Sequence, residues 1–234
     1  MVKVVLVSLT LLLSSLILSC GSGLEGLTTE ENNEPTDDQL YRLNSIGDAT
    51  FDTGCVNRNE NDSMRIIAEF TYNPTASLYK ITQTKYSGLD CNEVDKLLLT
   101  EDTLTLNMRP QDRRAILSIG EDETEVVASL GIYIYSSQML TILDDKSGYG
   151  AGYLDELKTT YPEYYPKSLT LGTKMDMSGK PFLWDIIYSA NGSTNYAILY
   201  FDDEKMAASG SDITDPLNAS IVHPLEVVLY KISE

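Results

Sequence analysis

Between Met64 and Tyr72 the chain alternates, with Ile66, Ala68, Phe70 and Tyr72 in phase on one side. A period of two sends successive side chains to opposite faces of a sheet and does not fit a helix. After Asn73-Pro74-Thr75-Ala76 the segment Leu78–Tyr86 sets Tyr79, Ile81, Gln83 and Lys85 against Leu78, Lys80, Thr82, Thr84 and Tyr86. Thr and Tyr at this density favour strand. Further strands are expected at Leu97–Leu106, as two short pieces around Glu101-Asp102, and at Ala115–Ile119, Val126–Tyr135 and Gln138–Leu143. Phe182–Tyr188, Asn195–Phe201 and Leu225–Ile232 complete the set, with turns at Gly120-Glu121-Asp122, Asn191-Gly192 and Asp202-Asp203. Many short strands at close spacing predict an all-β domain, either an antiparallel up-and-down barrel or a sandwich. One stretch departs from the pattern. Within 152–166, Tyr153, Leu154, Leu157 and Tyr161 fall at helical spacing, giving a short helix that ends before Pro162 or a Tyr-rich loop.

The amino terminus has a different character. Lys3 precedes an apolar run, Val4 to Leu18, interrupted only by Ser and Thr. This is the charged and apolar organisation of a secretory signal. At about 15 residues the run is shorter than the roughly 20 that a spanning helix needs. It ends in Ile17-Leu18-Ser19-Cys20-Gly21, which resembles the lipobox of bacterial lipoproteins. The resemblance implies cleavage before Cys20, acylation of that cysteine with palmitate-type chains, and a protein held at a membrane outside the cytoplasm. More than one acyl chain makes such an anchor stable. Gly21 in place of Asp after the cysteine implies the outer membrane. Residues 1–19 are thus expected to be the signal peptide. Residues 20–48, with Glu30, Glu31, Glu34, Asp37 and Asp38 and no apolar period, are expected to be an acidic flexible tether. The β domain is expected to occupy 49–234.

Composition bounds the partners. The chain carries 35 acidic and 17 basic residues, a net charge of −18. Nucleic-acid binding needs clustered Lys and Arg, so nucleic acid is not expected as a partner. With Cys20 assigned to lipid, two of the 3 cysteines remain, Cys55 and Cys91. In an oxidising compartment they read as one disulfide. It would close a loop of about 35 residues and contribute roughly 3–4 kcal/mol by chain entropy.

The residues Gly54-Cys55, Phe70 and Tyr86-Ser87-Gly88-Leu89-Asp90-Cys91 carry a second resemblance, as do Leu199-Tyr200-Phe201 and the final Leu229-Tyr230-Lys231. Together they resemble a diffuse group of bacterial lipoproteins described as lipocalin-like. The likeness extends over most of 50–232. It implies a small antiparallel barrel, with the two cysteines bridging early strands and an interior able to hold a small apolar ligand. A small barrel can equally be filled by its own side chains.

No motif nominates chemistry. G-x-S-x-G, H-E-x-x-H and G-x-x-x-x-G-K-[ST] do not occur. His223, the single histidine, precedes Pro224 and lacks a nominated nucleophile. Asp144-Asp145, Asp155-Glu156 and Asp202-Asp203 are carboxylate pairs of the kind that 35 acids produce by chance. Asp145, Ser147, Gly150 and Glu156 fit part of an EF-hand loop, but Tyr149 stands where an oxygen ligand belongs. No catalytic residue, metal ligand set or cofactor is assigned. Tyr149, Tyr153, Tyr161, Tyr164 and Tyr165 are the expected ligand contacts, because tyrosine offers broad apolar area with a polar tip. The leading expectation is a lipid-anchored, non-enzymatic envelope protein that binds a small apolar ligand or serves as an interaction module. An envelope hydrolase using acidic residues and a surface adhesin stand as alternatives.

Overall fold

A computed structural model describes residues 47–73, 77–119, 122–182, 186–209, 217–218 and 220–232. The expected leader, Cys20 and all but the last two residues of the expected tether therefore lie outside the described residues, as does Trp184. The protein is almost wholly β. Strands β1 (Ala49–Asp52), β2 (Val56–Asn57), β3 (Ser63–Thr71) and β4 (Ser77–Tyr86) come first. A single 3-10 turn at Glu93–Asp95 leads into β5 (Lys96–Ile119) and β6 (Asp122–Ile142). Helix α1 (Tyr149–Thr160) follows, then β7 (Lys174–Asp176), β8 (Pro181–Phe182), β9 (Ile186–Ile187), β10 (Thr194–Phe201), β11 (Lys205–Ser209) and β12 (Val222–Lys231).

Eight of these strands run in the order β1-β12-β11-β10-β6-β5-β4-β3, and β1 also pairs with β3, so the sheet closes on itself in a ring. Phe51 marks the closure, opposite Lys231 on one side and Ala68 on the other. Every pairing around the ring is antiparallel, and most neighbours are consecutive in sequence. The alternation explains what fills it. Ile66, Ala68 and Phe70 of β3 face inward with Tyr79 and Ile81 of β4, Leu104 and Leu106 of β5, and Tyr133 and Tyr135 of β6.

The far halves of β5 and β6 build a second, smaller core. Val222–Leu225 of β12 pairs in parallel with Arg114–Leu117 of β5. Strands β10 and β11 are consequently buried on both faces. Ala197, Leu199 and Met206 face the ring interior, while Ile198 and Ala207 face the second cluster with Ala115, Leu117, Ala128 and Leu130. The near-continuous apolar run Tyr196 to Phe201 is the sequence consequence of burial on two faces.

Several expected elements merge. The two pieces within Leu97–Leu106 and the separate Ala115–Ile119 form one strand of 24 residues. Val126–Tyr135 and Gln138–Leu143 likewise join in a strand of 21 residues. The apparent breaks are register shifts, one between Thr103 and Leu104 and one between Arg109 and Asp112. A bulge interrupts the pattern without ending the strand. The expected strand Phe182–Tyr188 is instead the two-residue pairing of β8 with β9. The helix expected near 152–166 begins three residues earlier, at Tyr149, and does end before Pro162. It packs Leu154 and Leu157 against Leu140, Ile142, Met175, Met177, Phe182 and Tyr188 in a third cluster. Gly150 fits there because a Cβ would lie 2.0 Å from the carbonyl oxygen of Leu143. Among the described residues no helix is long and apolar enough to cross a membrane.

Candidate functional site

Cys55 and Cys91 form a disulfide, with Cα atoms 5.7 Å apart. The cysteines lie in the connections just before β2 and just after β4, not within strands. The bond pins a turn that other contacts also hold. The Ser63 hydroxyl donates to Gly88 O at 2.7 Å and accepts from Cys91 N at 3.0 Å, and Asp90 N donates to Asn57 Oδ1 at 3.0 Å. Asp90 and Cys91 both take positive φ, which this network offsets.

The five tyrosines divide. Tyr149 on α1 is 62% exposed and Tyr164, in the turn after it, 42%. Tyr153 and Tyr161 are half-buried against the helix cluster. Tyr165 is buried, and its hydroxyl donates to Pro181 O. Burial pushes the Tyr165 phenol well above its ordinary range. Tyr165 is thus placed as a strut between the helix turn and β8, and the exposed pair Tyr149 and Tyr164 are the tyrosines with surface to offer.

The acidic candidates hold turns. Asp145 Oδ1 accepts from Gly150 N at 2.9 Å, and Oδ2 accepts from Ser147 N at 3.2 Å and from the Ser147 hydroxyl. Burial works against its charge, but these hydrogen bonds outweigh it and keep the carboxyl below its usual range. Asp145 thereby organises the approach to α1. Asp202 does the same for the β10–β11 hairpin, accepting from Glu204 N at 2.9 Å and Lys205 N at 2.8 Å. His223 is buried within β12, opposite Ala115.

The ring interior is the larger finding. Its side chains leave an apolar cavity of about 40 Å³, bordered by Ile81, Leu104, Leu106, Tyr133, Leu199 and Met206 among others. One water-sized group needs about 10–15 Å³, so the space takes roughly three or four such groups. At its edge stands a polar cluster that the sequence did not nominate. Asp102 is 3% exposed and Gln138 1%, and they face one another directly across β5 and β6. Asp102 is flanked by Ile81 across β4 and by Leu104 along its own strand, both of which border the cavity. Asp102 Oδ1 and Gln138 Oε1 are buried without hydrogen-bond partners, and the buried hydroxyls of Tyr133 and Tyr135 interact with one another. The two rings meet edge to face, with centroids 5.5 Å apart. Burial raises the Asp102 carboxyl to about 7. The negative charge of Asp102 in turn pushes Tyr133, Tyr135 and Tyr188 upward, on top of their own burial.

A signal for this cluster exists in hindsight. Asp102 is in phase with Leu104 and Leu106, and Gln138 is in phase with Leu140 and Ile142. Polar side chains at inward positions of an alternating strand are the informative exceptions.

No protein-family model matches the chain, and no curated protein matches its sequence. Its sequence and geometry carry the functional reading.

Proposed function

We propose that the protein is an envelope lipoprotein. In this reading it is anchored through acylated Cys20, most simply in the outer membrane, and its β domain acts as an interaction module and not as a carrier of lipid-sized cargo. The observation that carries the second half is the filled ring. A cavity of about 40 Å³ is far below the roughly 150 Å³ that accommodates benzene in a protein core. The anchor rests on Ile17-Leu18-Ser19-Cys20 after a short apolar leader. An excess of acid, 35 residues against 17 basic, favours a body that stands off anionic lipid. Tyr149 and Tyr164, exposed on α1 and the following turn, are the proposed contacts. Tyrosine at such positions binds without losing much side-chain freedom.

The test has two parts in a bacterial host. Metabolic labelling with an alkyne-bearing palmitate should tag the chain, and Cys20→Ala should abolish the tag and release the protein from the membrane fraction. A photo-cross-linking amino acid at Tyr149 or Tyr164 should give a discrete heavier species that the same probe at Lys80, on β4, does not. An unlabelled chain refutes the anchor, and identical cross-linking at all three positions refutes the tyrosine surface.

A further inference from the structure

Asp102 brings a carboxyl into the interior of the fold with no cation of the described chain beside it. Among the described residues no Lys, Arg or His forms an ion pair or hydrogen bond with this carboxylate. The groups facing it are Ile81 from β4, Tyr133, Tyr135 and Gln138 from β6, and Tyr188 after β9. A buried carboxyl either stays protonated, as Asp102 does below about pH 7, or needs a partner of opposite sign once it ionises. Gln138 sharpens the requirement. Its Nε2 donates to Ser189 O at 2.6 Å and lies 3.4 Å from Asn191 Oδ1, which engages the amide nitrogen and leaves the buried Oε1 without a partner. Two buried acceptors, Asp102 Oδ1 and Gln138 Oε1, are therefore unpartnered on residues that oppose one another across β5 and β6. Tyr133 and Tyr135, whose buried hydroxyls interact with one another, stand close enough to feel the Asp102 charge and bring aromatic rings to the same region. A carboxylate and an amide carbonyl with aromatic rings close by are the recognition chemistry of an ammonium group, which brings several N–H donors and a charge.

The apolar side of the site selects among cations. Asp102 is flanked by cavity-bordering Ile81 and Leu104, and Tyr133 belongs to both the cluster and the cavity. A calcium ion takes six to eight oxygen ligands, and half of this surround is hydrocarbon. Water can satisfy the hydrogen bonds but leaves the charge uncompensated above about pH 7, where Asp102 ionises. A space of about 40 Å³ holds roughly three or four heavy atoms beyond the oxygens.

We infer that the interior of the ring is a binding site for a small primary alkylammonium. Its nitrogen would lie on Asp102 and Gln138 beside Tyr133 and Tyr135, and its tail of two or three carbons would occupy the apolar cavity.

The experiment uses the full lipidated chain in detergent, with propylammonium chloride as the probe and thermal unfolding at pH 8 as the first readout. Propylammonium should raise the midpoint in a saturable way, beyond sodium or potassium chloride at equal ionic strength, and 1-propanol should not. Asp102→Asn should abolish the saturable rise. At saturation, NMR should give intermolecular contacts from the propyl protons to the methyl groups of Ile81 and Leu104, a readout that needs no variant. The inference is overturned by a response matched by sodium or potassium, by an undiminished response in Asp102→Asn, or by saturation without the Ile81 and Leu104 contacts.

Discussion

Replacing Asp102 by Asn should stabilise the protein, and by an amount that depends on pH. The carboxyl is raised by burial from 3.8 to about 7, so between these values the folded chain holds a proton that the unfolded chain releases. Stability is therefore greatest below about pH 4, falls as pH rises toward 7, and levels off above it. Each tenfold difference in proton affinity between the folded and unfolded chain corresponds to about 1.36 kcal/mol, so the loss amounts to about 4 kcal/mol by pH 8. Asn is nearly isosteric, and Asp102 Oδ1 makes no hydrogen bond to lose. Urea unfolding of wild type and Asp102→Asn at pH 4, 6 and 8, in amine-free buffer, isolates this residue. Asp52, Asp145 and Asp202 are held below their ordinary range and contribute the opposite slope, losing stability as pH falls, but they are common to both proteins. The two stabilities should nearly coincide at pH 4 and separate by about 4 kcal/mol at pH 8 in favour of the variant. Parallel curves, or a variant less stable at pH 8, would refute the assignment of an uncompensated buried carboxylate.

Two further substitutions probe the scaffold. Removing the Cys55–Cys91 bond, whose ends are 36 positions apart in sequence, should lower unfolding stability by about 3–4 kcal/mol in a denaturant titration of the Cys55→Ala, Cys91→Ala protein. Gly150→Ala should cost about 1–3 kcal/mol, because the added methyl meets the Leu143 carbonyl and α1 must shift to admit it; the same titration measures it.

How far the chain can be read without its structure follows from what each residue does. β3 and β4 were legible because one face is buried and the other is not, so Ile66, Ala68 and Phe70 repeat cleanly. β11 was not legible. Met206-Ala207-Ala208 is short, and its residues are small because the strand is packed between two cores. The length of β5 was hidden because Glu101-Asp102 looks like a turn. Its acidic pair actually straddles the sheet, with Asp102 inside and Glu101 in an ion pair with Lys174 of β7 at 2.7 Å. The Cys55–Cys91 pair followed from counting once Cys20 was set aside. The Asp102 cluster could not be counted that way. It depends on cross-strand register, and the register depends on bulges that local sequence does not announce.

The central claim is that the side chains of the ring leave a cavity of only about 40 Å³ and that it carries no lipid-sized cargo. Native mass spectrometry of the mature chain, purified from bacterial envelopes and then extracted with solvent, tests it most directly. The account predicts the mass of the acylated polypeptide less two hydrogens for the disulfide, with no apolar molecule recovered in stoichiometric amount beyond the covalent acyl chains. A reproducible bound mass of several hundred daltons that extracts as an apolar compound would contradict it and make the protein a carrier.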